Sequence, residues 1–103
     1  GEKTINADAW LYDARVNYYL DQTDKDQKAV DAYQKFIDIT AAKTADKITD
    51  RDKTNLVEAY SYIGGYFITK DKAKARENFN KALAIDPENA QVKDAIRAMD
   101  AEG

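Results

Sequence analysis

Residues 57–89, VEAYSYIGGYFITKDKAKARENFNKALAIDPEN, decide the fold of this chain. Leu56, Tyr60, Ile63, Gly64 and Phe67 recur at three- and four-residue steps, which places them on one side of a helix expected over about residues 52–70. A polar break follows. Ala75, Phe79, Ala82 and Leu83 then repeat the same steps on a helix expected over about residues 71–85. Asp86-Pro87 reads as a cap followed by Pro in the first turn of a further helix, where its missing N–H costs nothing. Two adjacent glycines inside the first of these helices, Gly64 and Gly65, would cost an isolated helix roughly 2 kcal/mol against two alanines. They therefore require a reason outside local propensity.

Composition narrows the classes. The chain has 103 residues, 44% hydrophobic and 34% charged, with a net charge of −3. Its mean hydropathy is −0.74 and its isoelectric point about 4.9, so no membrane insertion and no basic footprint for nucleic acid are expected. Lys70, Lys72, Lys74 and Arg76 are locally basic and read as a solvated helix start. Cysteine and histidine are both absent. That excludes thiolate or imidazole zinc sites, cysteine nucleophiles and disulfides. Asp21, Asp24 and Asp26, like Asp50 and Asp52, lack the alternating ligands, central Gly and terminal Glu of a calcium loop, and read as helix caps. Gly64-Gly65 lies within a helix and not between strand and helix, so it is no phosphate cradle. The expectation is a non-enzymatic protein that needs no cofactor and no metal.

The ordered set Tyr60-x2-Ile63-Gly64-x2-Phe67, Ala75-x3-Phe79, Ala82 and Pro87 resembles the tetratricopeptide repeat. The turn between its helices is about one residue shorter than the family usually has. The resemblance implies an all-α, right-handed solenoid of antiparallel helix pairs, in which Gly64 admits the close crossing of the paired helix. Ala29-x3-Tyr33 with Phe36 matches Ala75-x3-Phe79 with Ala82, so a second helix over residues 25–42, with Ala29, Val30, Tyr33, Phe36 and Ile37 as its stripe, belongs to a divergent first repeat. The offset from Ala29 to Ala75 is 46 residues, against a family period of about 34. The excess falls in a polar stretch with one candidate for burial, Ile48, ending at a cap, Thr49 or Asp50. The first helix, from Thr4 to about Leu20, admits two registers. Either Trp10, Ala14 and Asn17 fill the packing slots, or Leu11, Ala14 and Tyr18 face inward; the first is preferred because it gives the close-contact slot a small residue. That helix is apolar on more than one face, as a helix buried on both sides would be. Together with Gly1 and the missing initiator Met, this reads as a fragment from which a preceding repeat has been removed.

The expected organisation is a single domain over 1–103. It comprises a first repeat over 5–45, a loop over 46–52, a second repeat over 53–86 and a capping helix over 87–101. On the last helix Val92, Ala95, Ile96 and Met99 form the apolar face, and Lys93, Asp94, Arg97 and Asp100 the charged one. In the family, the first helix of each pair lines a concave groove that holds a peptide or protein segment. By that resemblance the groove candidates are Glu58, Ser61, Tyr62, Gly65 and Thr69 on the third helix. On the first helix they are Tyr12, Arg15 and Tyr19, with Leu11 and Tyr18 beside them. Aromatic residues and Arg are the types that carry energy at protein interfaces. The partner expected is a protein or peptide. The rival expectation is structural: this segment stabilises a longer array, or self-associates through its first helix. A resemblance to C-terminal segments of cell-envelope repeat proteins of Bacteroidota implies an envelope location, while the lack of cysteine suits the cytoplasm equally.

Overall fold

A computed structural model describes residues 9–12, 14–15 and 25–101, and every regular element among them is helical. Helical residues 9–12 and 14–15 form α1. They are followed by α2 (Lys25–Ala41), a single 3-10 turn (Ala45–Lys47), α3 (Asp50–Phe67), α4 (Lys72–Ile85) and α5 (Ala90–Ala101). The chain divides into two compact units, Gly1–Asp52 and Lys53–Gly103.

In the first unit, α2 buries Ala29, Val30, Tyr33, Phe36 and Ile37, the stripe expected from three- and four-residue spacing, together with Ala32 and Thr40. Its opposite side, Asp31, Gln34, Lys35 and Asp38, is exposed. On α1, Leu11 and Ala14 are buried, Trp10 is half-buried, and Tyr12 and Arg15 are exposed. Leu11 and Ala14, three residues apart, are two of the three residues of the second register weighed above, so Leu11 is a core residue and not a groove residue. Asn17, Tyr18 and Tyr19 lie outside the described residues. Ile48, the burial candidate between α2 and α3, is only half-buried.

A reciprocal cap starts α3. The Asp52 N–H donates to Thr49 Oγ1 at 3.0 Å, and the Thr49 N–H donates to Asp52 Oδ2 at 3.1 Å. Thr49, not Asp50, is therefore the cap, and the helix begins two residues earlier than its apolar pattern suggested. Lys43 Nζ also reaches Asp52 Oδ2, at 3.1 Å. These contacts hold the Asp52 carboxyl below its ordinary 3.8, the Thr49 backbone N–H contributing most and the Lys43 ammonium assisting, while burial opposes them.

In the second unit, three contacts fix how α3 meets α4. Lys74 Nζ lies 5.2 Å from the centre of the Phe67 ring, Gly64 faces the Phe79 ring, and Lys81 Nζ lies 5.9 Å from the centre of the Tyr60 ring. Numbers fall along α3 as they rise along α4, so the two helices are antiparallel. The Asp71 carboxylate caps α4 by accepting the Lys74 N–H at 3.2 Å. Arg76, early in α4, pairs with Asp100, near the end of α5. The other ends of these two helices are joined by the Asp86–Asn89 turn, so α4 and α5 are antiparallel as well. Ala75, Phe79, Ala82, Val92 and Met99 form the buried core between them, with Val57, Tyr60 and Phe67 of α3 packed against it.

The start of α5 departs from expectation. Asp86 ends α4, its N–H donating to Ala82 O at 2.9 Å. Pro87 occupies the second position of a turn closed by the Asn89 N–H on Asp86 O at 3.1 Å. Proline's fixed φ suits that position as well as it suits a helix start. Asn89 is the cap, its Oδ1 accepting the Val92 N–H at 2.9 Å. The helix therefore begins three residues after Pro87.

Candidate functional site

The two neighbouring glycines of α3 have opposite surroundings. A Cβ on Gly64 would stand 2.7 Å from both Cδ1 and Cε1 of Phe79 and 3.0 Å from Cζ. No side chain fits there unless Phe79 moves, and Phe79 is 2% exposed. A Cβ on Gly65 would meet nothing within 4 Å. Packing thus accounts for the first glycine and leaves the second exposed in the last turn of α3.

Gly65 shares a face of α3 with positions 58, 61 and 62, which lie seven, four and three residues before it. Glu58, Ser61 and Tyr62 are half-buried there, and Gly65 and Thr69 are exposed. Thr69 lies just past Phe67, the last helical residue. The four candidates within α3 therefore share one side of the helix, and Thr69 stands in the turn beyond it. Tyr12, at 70% exposure, and Arg15 are on the surface of the other unit. Tyr19 is outside the described residues.

Beside this face lies a group the sequence reading passed over. The Tyr66 and Phe67 rings meet edge to face at 5.0 Å with an interplanar angle of 81°, a favourable arrangement for aromatic pairs. Lys70 Nζ stands 4.3 Å above the Tyr66 ring centre. The four-residue step from Tyr66 to Lys70 was a visible signal for that contact. The Phe67–Lys74 contact crosses the turn and has no such local signature.

Among the described residues there is no group of three or more His, Cys, Asp or Glu placed to hold a metal ion. No helix there is long and apolar enough to cross a membrane. Comparison with known proteins gives no family model, no curated protein and no solved structure that matches the chain.

Proposed function

We propose that this chain is a non-enzymatic interaction scaffold of the tetratricopeptide-repeat kind, in which the Gly65 face of α3 takes a segment of a partner protein. The observation that carries the reading is the exposed glycine in the last turn of α3. Gly65 costs α3 up to about 1 kcal/mol against alanine, and among the described residues nothing lies within 4 Å of where its Cβ would stand. A partner backbone lying close to that point gives the position a use that a side chain would block. The antiparallel order of α3, α4 and α5 is consistent with the antiparallel helix pairs that the sequence pattern implies. Because the face is carried on a preformed helix, binding costs the scaffold little ordering, and Tyr62 supplies aromatic contact at its edge.

The test compares partner recovery by the wild-type chain and by Gly65→Arg, with Tyr62→Ala as a second variant. Arginine at 65 enters open space and is a better helix former than glycine, so the fold is retained. Partners recovered by wild type and lost by Gly65→Arg support the reading. An unchanged partner set overturns it and favours a purely structural role in a longer array.

A further inference from the structure

We infer that the α3–α4 turn is a second docking surface, one that takes a short acidic segment of a partner protein. Residues 70–76, KDKAKAR, place four cations and one carboxylate in seven positions. Arg76 is paired with Asp100, and the Asp71 carboxylate is turned to the start of α4, where it accepts the Lys74 N–H at 3.2 Å. Lys70, Lys72 and Lys74 are exposed and have no carboxylate partner among the described residues. Cations in the first turn of a helix are opposed by its dipole, so this grouping does not serve the stability of α4. Two of the three ammonium groups rest over rings, Lys70 over Tyr66 at 4.3 Å and Lys74 over Phe67 at 5.2 Å. Contacts of this kind at exposed sites are worth about 0.5–1 kcal/mol, so they bias both lysines toward this position and lower the ordering cost of docking.

The size of the patch selects the occupant. Nucleic-acid binding through phosphates typically uses about 6–10 contacts, and polybasic lipid recognition uses clusters of about 4–8 Lys or Arg. Three available ammonium groups on a chain of net charge −3 fall short of both. They match two or three successive carboxylates on a peptide.

The test is independent of the Gly65 face. A fluorescein-labelled hexaglutamate peptide is titrated with the 103-residue chain at low salt and again at high salt. Binding is expected at low salt, and it should weaken as salt rises because the screening length falls from about 10 Å at 0.1 M to about 3 Å at 1 M. Lys70→Gln, Lys72→Gln and Lys74→Gln combined should weaken it about tenfold, in line with exposed ion pairs. The same charge change at Lys28, Lys35 and Lys53 should alter it less than about twofold. Lys72→Glu alone, at a position with no ring contact among the described residues, guards against any loss of fold in the triple variant and should also weaken binding. No binding by wild type, equal losses in the two triple variants, or binding to anionic vesicles or single-stranded DNA with hexaglutamate silent would each overturn the inference.

Discussion

Alanine at Gly64 and alanine at Gly65 should move stability in opposite directions, although the two positions are adjacent on one helix. Each change removes the backbone freedom of glycine and gains about 1 kcal/mol of helix propensity. At Gly65 nothing opposes that gain, because the new Cβ has no neighbour within 4 Å. At Gly64 the Cβ would press on the Phe79 ring at 2.7 Å, closer than any relaxed carbon contact. Phe79 is 2% exposed and belongs to the core cluster with Ala75, Ala82, Val92 and Met99, so moving the ring disturbs that core. Overpacking of that kind costs about 1–3 kcal/mol. The expected net effects are a stabilisation of about 1 kcal/mol for Gly65→Ala and a destabilisation of about 1 kcal/mol for Gly64→Ala. For a domain of this size, that is a separation on the order of 10 °C in melting temperature. Urea titration followed by circular dichroism measures both. Adding Phe79→Leu to Gly64→Ala should recover part of the loss relative to Phe79→Leu alone, a coupling that appears only if the two side chains collide. Equal effects of the two alanines, or a more stable Gly64→Ala, would refute the packing of α3 on α4 described here.

Thr40 is fully buried and its hydroxyl has no hydrogen-bond partner, so Thr40→Val should raise stability by about 1 kcal/mol, read as a higher urea midpoint. Thr49→Ala should cost about 1 kcal/mol by removing the α3 cap, and Asn89→Ala a similar amount at α5, both visible as earlier amide exchange in the first turns of those helices. The Asp52 carboxyl is depressed in the folded chain below its ordinary 3.8. Its contribution is therefore complete above that value and is lost as pH falls through the lower folded value. Compared with wild type, Asp52→Asn should show a smaller fall in urea midpoint on going from neutral pH to pH values below 3.8; identical falls would remove Asp52 from the account.

How much of this was legible in the sequence depended on how many sides of a helix were apolar. The stripes of α2, α4 and α5 stand against charged faces, and the residues expected inside were found buried or packed against the core. In α1 the apolar residues run round the helix, so spacing allowed two registers, and a preference for a small residue in one slot selected Trp10 where Leu11 is the buried one. Ala59 was missed because alanine carries too little apolar weight to mark a face, yet it is 0% exposed. The caps were ambiguous for another reason. Asp86 and Asn89 flank Pro87, and a locked φ is compatible with a turn or with a helix start, so only the hydrogen bonds decide. The Lys43–Asp52 pairing had no sequence signal, since the two residues meet only across the 3-10 turn. At the candidate site the sequence distinguished Gly64 from Gly65 through their places relative to the stripe. The lysines resting on Tyr66 and Phe67 emerged only from the way α3 and α4 meet.

The proposed role of the Gly65 face is tested most directly by site-specific photo-crosslinking in cells of the source organism. A benzophenone amino acid is placed at position 65 and, as a control, at Ala98, an exposed position on α5 outside both proposed docking surfaces. The account predicts discrete protein adducts from position 65 and none of the same mass from position 98. Equal adducts at both positions, or none at 65, would contradict it.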